Sequence, residues 1–199
     1  MKLVRSLLLA GITFLPLSAI AQESAMESQK LAGLLRNGGY VILIRHAAGD
    51  ASQKDADKVL FTDCGTQRNL SRQGRIDSRG IGQGIDMAQI PVGRVLSSPF
   101  CRTMDTGRLA FARADSTEAL KSISGTEEDK LKAKTALTAL LSAVPASRSN
   151  TVLITHSTNI QATLGFVPAE GEAVVFRPAG NGYSQLGRIR AQQWNEVKP

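Results

Sequence analysis

The sequence predicts an α/β protein, a three-layer α/β/α sandwich around a mainly parallel sheet. Three short runs rich in branched apolar residues, at 40–44, 94–98 and 151–155, are typical of strands buried on both faces. Segments of helical periodicity alternate with these runs, as the crossover connections of a parallel sheet require. The chain has 199 residues, a length that suits one domain with a sizeable core.

The first 21 residues are typical of a cleaved signal peptide. Lys2 and Arg5 precede an apolar stretch, and Ala19 and Ala21 supply the small side chains that a signal peptidase requires. A transmembrane anchor is the alternative, but the apolar run is shorter than the ~20 residues that a spanning helix needs. We therefore expect cleavage after Ala21, a periplasmic or secreted protein with no later transmembrane segment, and a single domain over residues 22–199.

Turn and capping residues place the elements along the chain. Gly38 and Gly39 supply a left-handed stop for the first helix, and Ser71 and Thr126 are typical helix N-caps. The stretch between residues 47 and 69 has no apolar period, and a loop of that length in a compact domain is usually functional. In order, we expect helix 23–37, strand 40–44, loop 47–69, helix 71–89, a turn at 91–93, strand 94–98, helix 103–111, a weak strand 118–123, helix 126–141, strand 151–155, helix 159–164, and strands 172–177 and 183–190.

Composition and charge narrow the class of ligand. The net charge of +7 becomes +5 when Lys2 and Arg5 leave with the signal peptide. The basic residues are scattered and aromatic residues make up 5% of the chain, so nucleic-acid binding is disfavoured and anionic ligands are favoured. Two Cys cannot form a Cys-rich zinc finger, and two His exclude any mechanism that needs three. In an exported protein Cys64 and Cys101 are candidates for one disulfide, with two free thiols as the alternative.

Both histidines directly follow predicted buried strands. His46 comes after Arg45 at the end of one strand, and His156 ends another. Arg102 follows the third, after a Ser-Ser-Pro turn. Ligands of open α/β sheets bind beyond the carboxyl ends of the strands, so these side chains are expected at one edge. Guanidinium groups pair with phosphate oxygens, and imidazole is a nucleophile. The set predicts phosphoryl transfer through a phosphohistidine, without a metal or other cofactor.

Four ordered motifs carry a resemblance to a known family. They are L-I-R-H-A at 43–47, L-S-x-x-G at 70–74, S-S-P-x-x-R-T-x-x-T at 97–106 and T-H-x-x-N-I at 155–160. Together they resemble the histidine phosphatase superfamily, which includes the phosphoglycerate mutases and the branch-one phosphatases, over residues 40–178. The resemblance implies a phosphoglycerate mutase-like fold. It makes His46 the phosphorylated nucleophile, Arg45 and Arg102 phosphate clamps, and His156 the residue that stabilises the transferring group. An exported bacterial subgroup of the family is the nearest match in pattern.

The family pattern does not identify the residue that protonates the leaving oxygen. The chain has Ala47 where the family usually has Gly, and no segment matches the one that often supplies a glutamate donor. Glu172, in a Gly-containing turn, is the first candidate. Asp50 and Asp63, in the long loop, are the alternatives.

Three further residues are expected to contact phosphate or substrate: Gln67, Arg68 and Asn159. For Gln67 and Asn159 a turn or capping role is equally open. The same placement implies a structural role for the cysteines, because a disulfide between Cys64 and Cys101 would hold the long loop beside Arg102. A catalytic thiol is disfavoured because the chain has no Cys-x5-Arg loop.

The function predicted from the sequence is an exported, metal-independent phosphatase for a small phosphorylated substrate or a phosphoglycan. By resemblance, a phosphorylated sugar or the core of lipopolysaccharide is the expected substrate class. A non-catalytic protein that binds phosphate or phosphoglycan on the same fold is the alternative. A mutase is disfavoured because its phosphorylated metabolites are cytosolic. A metal hydrolase using His46 and His156 is disfavoured because the two residues lack the spacing of a metal motif.

Overall fold

The computed structural model describes residues 17–123 and 125–199. Its helices are α1 (Leu17–Leu35), α2 (Arg72–Met87), α3 (Cys101–Phe111), α4 (Glu127–Ser142) and α5 (Ser157–Leu164). Its strands are β1 (Val41–Arg45), β2 (Val92–Ser97), β3 (Asp115–Ser116), β4 (Asn150–Thr155), β5 (Ala173–Pro178) and β6 (Tyr183–Ile189). Short 3₁₀ helices span Cys64–Thr66, Glu118–Leu120 and Ala191–Glu196.

The six strands form one sheet in the order β3-β2-β4-β1-β5-β6. The first four run parallel to their neighbours, and β5 and β6 complete the sheet by antiparallel pairing. The mainly parallel sheet predicted from the sequence is therefore confirmed. Because β1 and β4 are parallel neighbours, their carboxyl ends meet, and Arg45 pairs in register with Thr155.

Helices cover both faces of the sheet, which confirms the α/β/α sandwich. Alternate residues of β1 point to opposite faces, as they must in a strand. Ile42 and Ile44 pack with α1 and α2, whereas Val41 and Leu43 pack with α4 and α5. All four side chains are fully buried. The continuous apolar run that predicted this strand thus arises because both faces of the sheet are covered.

Two local expectations were wrong. Residues 118–123 do not form a strand; the Thr117 hydroxyl accepts a hydrogen bond from the Ala119 amide at 3.3 Å and starts a 3₁₀ turn instead. The strand that pairs at this edge is β3, two residues earlier. The turn expected at 91–93 is also shorter than predicted, because β2 begins at Val92. Val92 pairs with Asn150, and the register of the two strands shifts between Val92 and Val95.

The expected signal peptide falls mostly on residues 1–16, which lie outside the described residues. The described helix α1 starts at Leu17 and ends at Leu35, where the sequence predicted a helix over 23–37. Within the described part of the chain, no helix has the length and apolar character needed to cross a membrane.

Candidate active site

The parallel pairing of β1 and β4 brings the two histidines together. His46 follows β1 and His156 follows β4, and the His46 amide donates a hydrogen bond to the Thr155 carbonyl at 3.0 Å. Their ring centroids are 5.4 Å apart, with an angle of 63° between the planes. Both side chains are buried, each with 3% of its surface exposed. The edge of the sheet predicted to hold the chemistry therefore does hold both imidazoles.

The His46 ring is held in one tautomer. Its Nδ1 atom lies 2.8 Å from the Ala47 carbonyl oxygen. Because a carbonyl can only accept a hydrogen bond, Nδ1 carries the proton of the neutral ring and Nε2 keeps its lone pair. Burial, reinforced by the charges of Arg102, Arg45 and Arg68, lowers the pKa of His46 to about 4. At neutral pH the His46 ring is therefore neutral, and the lone pair on Nε2 is available for a nucleophilic role.

Two arginines border this ring, and each is oriented by a protein oxygen. Arg45 donates from Nη1 to the Pro168 carbonyl at 2.8 Å, and Arg102 donates from Nη1 to Asp55 Oδ1 at 2.9 Å. Among the described residues, the Nε atom of each is buried and has no hydrogen-bond partner. Unpaired buried donors are costly in a folded protein. Both guanidinium charges act on His46, which makes its surroundings favourable for an anion.

A third guanidinium comes from the long loop. The Arg68 head group lies close to the Gly49 backbone, about 3.0 Å from the position that a Cβ there would occupy. Its charge also acts on both histidines, lowering the pKa of each. The Arg68 amide donates to Asp55 Oδ1 at 2.8 Å. The structure thus places Arg68 at the site, as the sequence predicted, and adds Asp55 as the residue that ties the loop to Arg102.

His156 is held by a serine that the sequence analysis did not single out. Its Nε2 lies 2.7 Å from Ser98 Oγ, and the Phe100 ring meets it edge-on at 4.9 Å. Burial, followed by the charges of His46 and the arginines, lowers the pKa of His156 well below its usual value. Ser98 belongs to the Ser-Ser-Pro turn, so the signal that could have identified it was already in the motif.

Each of the three predicted carboxylates accepts hydrogen bonds within its own turn. Glu172 Oε2 accepts a hydrogen bond from the Ala169 amide at 2.6 Å, closing its own turn. Asp50 accepts from the amide and hydroxyl of Ser52, which lower the pKa of its carboxyl. Asp63 caps a 3₁₀ helix by accepting from the Gly65 amide at 2.8 Å. Each carboxylate is committed to local backbone, so a role as proton donor is not supported for any of them.

Glu170 is the carboxylate that lies beside the nucleophile's strand. Its Oε1 is 3.6 Å from Arg45 Nη2 and 3.4 Å from the Gly49 amide nitrogen. The next residue, Gly171, has a φ of 75° and donates its amide to the carbonyls of both Arg45 and His46 at 3.1 Å. That left-handed turn, which glycine adopts without strain, directs Glu170 rather than Glu172 to the site.

The predicted disulfide is present and anchors the long loop. Cys64 and Cys101 are bonded, with their Cα atoms 5.8 Å apart. Gln67 reinforces the bridge, because its Oε1 accepts from the Cys101 amide at 2.8 Å and its Nε2 donates to the Leu60 carbonyl at 2.9 Å. The Gln67 amide is therefore used to position the loop, which is the turn role left open by the sequence, and not to contact a ligand.

Asn159 likewise has a structural role. Its side chain is fully buried, and Nδ2 donates to the Lys121 carbonyl at 2.8 Å. This bond joins the start of α5 to the segment that follows the 3₁₀ helix Glu118–Leu120. The expected contact between Asn159 and substrate is replaced by a brace for the element that carries His156.

The L-S-x-x-G motif packs the start of α2 against the segment after His46. Ser71 caps the helix by accepting from the Gly74 amide at 3.0 Å. A Cβ at position 74 would lie 2.1 Å from the Ala48 carbonyl oxygen, so only glycine fits. The motif therefore allows the backbone of α2 to pack closely against the backbone of the segment that follows His46.

Comparison with known proteins tests the fold. No protein-family model matches the chain, and no curated protein matches it in sequence. Among solved structures, the alpha-ribazole phosphatase from Shigella flexneri aligns over 80% of this chain and 98% of its own, with a TM-score of 0.59 and 11% identity. The phosphoserine phosphatase from Entamoeba histolytica aligns over 78% and 98%, with a TM-score of 0.53 and 13% identity. The protein histidine phosphatase SixA, complexed with tungstate, aligns over 76% and 97%, with a TM-score of 0.50 and 16% identity.

The chain has the fold of the histidine phosphatases. The phosphoglycerate mutase-like architecture implied by the four motifs is thereby confirmed. Nearly the whole length of each of these phosphatases is covered by the alignment. Within the described residues, no group of three or more His, Cys, Asp or Glu side chains is arranged to hold a metal ion.

Proposed function

We propose that the protein is an exported member of the histidine phosphatase superfamily that hydrolyses phosphate monoesters through a phosphohistidine on His46. The observation that carries the proposal is the hydrogen bond between His46 Nδ1 and the Ala47 carbonyl, which leaves an unprotonated Nε2 among three guanidinium groups. Proteins of the same fold that are named as phosphatases support the reaction class.

The first chemical step forms a nitrogen–phosphorus bond. The Nε2 lone pair of His46 attacks phosphorus, and the bond from phosphorus to the leaving oxygen breaks with its electron pair going to that oxygen. Positive charge develops on the imidazole and is stabilised by the Ala47 carbonyl. The guanidinium groups of Arg45 and Arg102 hold the phosphoryl oxygens, and His156 stabilises their charge in the transition state.

Glu170 is the carboxyl group that we assign to proton transfer. In the first step it gives its proton to the leaving oxygen. In the second step its carboxylate takes a proton from water as the water oxygen bonds to phosphorus. The nitrogen–phosphorus bond then breaks, its electron pair returns to His46 Nε2, and inorganic phosphate leaves. Its contacts with Arg45 and the Gly49 amide place it near the arginines of the site, which supports this assignment over Glu172, and the first step requires Glu170 to take up a proton from solvent beforehand.

Export and substrate class are also part of the proposal. The charged start, apolar stretch and small residues before Gln22 support removal of a signal peptide. A mature protein whose first residue is Gln22, found by N-terminal sequencing of a periplasmic fraction, is the expected result, and an uncleaved cytosolic chain would contradict it. A phosphorylated sugar or lipopolysaccharide core is the substrate class implied by the resemblance.

Hydrolysis of p-nitrophenyl phosphate by the purified protein tests the reaction. We expect turnover that is unchanged by EDTA and falls by at least 10³-fold in His46→Ala, because the covalent route needs the imidazole. Loss of activity in EDTA would favour a metal hydrolase instead. Phosphate binding without any turnover would favour the alternative of a non-catalytic phosphate-binding protein.

A further inference from the structure

A groove adjoins the site between α4 and α5. Its volume is about 420 Å³, within the range of small-molecule sites. The residues that line it are Ile123, Lys130, Ser157, Thr158, Gln161, Ala162 and Val167. Most of its surface is carbon, and no carboxylate is among its lining residues. The proposed mechanism assigns no role to any of these side chains.

Two of the residues that line the groove are chain neighbours of residues at the site. Ser157 directly follows His156 and begins α5. Val167 directly precedes Pro168, whose carbonyl accepts the hydrogen bond from Arg45 at 2.8 Å. A phosphoryl group held between His156 and Arg45 is therefore one residue away from each side of the groove. A substituent on that phosphoryl group has this surface within reach.

The segment that ends at Ile123 forms the side of the groove opposite α5, and hydrogen bonds hold this segment to α5. Asn159 Nδ2 donates to the Lys121 carbonyl at 2.8 Å, and Thr158 Oγ1 is 3.3 Å from Ser122 Oγ. These contacts fix the segment that ends at Ile123 against α5. The charge of Lys130 is paired with Glu127 at 2.6 Å. What the groove offers a ligand is thus a preformed, mostly apolar surface.

We infer that this groove binds the leaving group of the substrate and selects an apolar alkyl or aryl alcohol. The inference rests on the phosphohistidine reaction of the proposed function, and it replaces the phosphorylated sugar that the resemblance implies as the substrate. Sugar hydroxyls would lose water against a surface that is mostly carbon, which is unfavourable for those left without a hydrogen-bond partner. Each methylene that becomes fully buried would instead raise kcat/KM by about fourfold.

A series of unbranched monoesters tests the inference with the full protein. We expect kcat/KM to rise on the order of 10- to 100-fold from ethyl to butyl to hexyl phosphate, since the groove is open on one side and buries each methylene only in part. Glucose 6-phosphate has the same number of carbons as hexyl phosphate and should react more slowly. An equal or higher value for glucose 6-phosphate would overturn the inference.

Two variants in the groove and one control variant test whether the groove causes the preference for hexyl phosphate. Val167→Ser should weaken the preference for hexyl phosphate, and Ala162→Phe, which fills the groove, should abolish it while ethyl phosphate is still hydrolysed. Val144→Ser removes another exposed valine, just after the far end of α4 and about 20 Å from Lys130, and should leave the preference unchanged. Thermal unfolding of each variant checks that it is folded.

The outcomes separate the inference from the proposed function. If His46-dependent hydrolysis is seen but rates do not depend on chain length, the inference is overturned and the proposed function stands. If the variants and the control lose the preference equally, the groove is not its source and the inference is again overturned. If no monoester is hydrolysed in a His46-dependent way, the proposed function fails and the inference fails with it.

Discussion

At the scale of single residues, the site is built to keep an imidazole neutral beside three positive charges. Burial and the guanidinium groups of Arg45, Arg68 and Arg102 all oppose protonation of His46. The same positive charges are suited to the oxyanion that the nucleophile attacks. One arrangement therefore both prepares the attacking nitrogen and stabilises the group that it receives.

The assignment of Glu170 predicts a dependence on the leaving group. Glu170→Gln should hydrolyse p-nitrophenyl phosphate within a few-fold of the unmodified protein, because p-nitrophenolate leaves readily without a proton. Ethyl phosphate, whose leaving group needs the proton, should lose roughly 10²- to 10⁴-fold in kcat. Steady-state kinetics on both substrates makes the measurement.

Glu172→Gln is the matched control for that experiment. Its amide oxygen can still accept the hydrogen bond from Ala169, so both substrates should be hydrolysed at nearly the original rate. An equal loss on both substrates in Glu170→Gln would show that Glu170 only positions Arg45. A selective loss on ethyl phosphate in Glu172→Gln would restore the donor role to Glu172.

The histidines and arginines of the site could be predicted from the sequence, whereas the position of the carboxylate could not. His46 and His156 directly follow buried strands, and the parallel pairing of those strands dictates that they meet. Glu170 and Glu172 flank the same glycine, and which of them faces the site depends on the left-handed φ of Gly171. A sequence pattern specifies the presence of such a turn but not the direction of its side chains.

At the scale of elements, the long loop carries one of the three guanidinium groups of the site and is held by one covalent anchor. The loop supplies Arg68 and Asp55. Asp55 accepts hydrogen bonds from the Arg68 amide and from the Arg102 side chain, and so links these two residues. The Cys64–Cys101 bond fixes the loop to the first residue of α3. The sequence predicted that this stretch is a loop and that the cysteines belong near the site. Its path depends on side-chain hydrogen bonds between distant residues, which no local pattern encodes.

Removal of the disulfide should therefore affect both stability and substrate binding. The double variant Cys64→Ser, Cys101→Ser should lose about 2–4 kcal/mol in the free energy of unfolding, because the unfolded chain is no longer constrained. A freed loop would also weaken the contact between Asp55 and Arg102, and we expect KM for p-nitrophenyl phosphate to rise about tenfold, equivalent to ~1.4 kcal/mol. Denaturant titration and steady-state kinetics measure the two effects.

A second variant shows whether the effect on KM passes through Asp55. Asp55→Asn keeps the disulfide but removes the charge that pairs with Arg102. It should raise KM by a similar factor while the stability changes by less than in the double variant. An unchanged KM in both proteins would contradict the view that the loop positions the clamp.

At the scale of the whole molecule, burying two neutral imidazoles makes stability depend on pH. The folded pKa of His46 is about 4, below its ordinary value of 6.5, and that of His156 is shifted in the same direction. Between these pH values the unfolded chain binds more protons than the folded one, so stability rises with pH. The contribution of His46 is fully present above pH 6.5 and is lost as the pH falls towards 4, and that of His156 also falls as the pH is lowered.

Chemical denaturation at pH 7 and at pH 4.5 measures this effect. We expect the free energy of unfolding to be lower at pH 4.5, with His46 contributing on the order of 3 kcal/mol over the full range. His46→Asn, which cannot titrate, should show a smaller difference between the two pH values. The same difference in both proteins would mean that His46 is not held neutral by the fold.

The three-layer architecture was the most predictable feature of the molecule. Both faces of β1 and β4 are covered, and their sequences are therefore continuous apolar runs that indicate buried strands. The architecture alone places the histidines but does not establish that one of them becomes phosphorylated. The central claim is a covalent bond between phosphorus and His46.

Trapping that bond tests the account most directly. The protein would be mixed with a ³²P-labelled monoester, quenched in alkali, which preserves phosphohistidine, and digested to peptides. The account predicts label that is stable in alkali, labile in acid, located on the peptide that contains His46, and absent from His46→Ala. Hydrolysis without any labelled protein, or label that persists in His46→Ala, would contradict it.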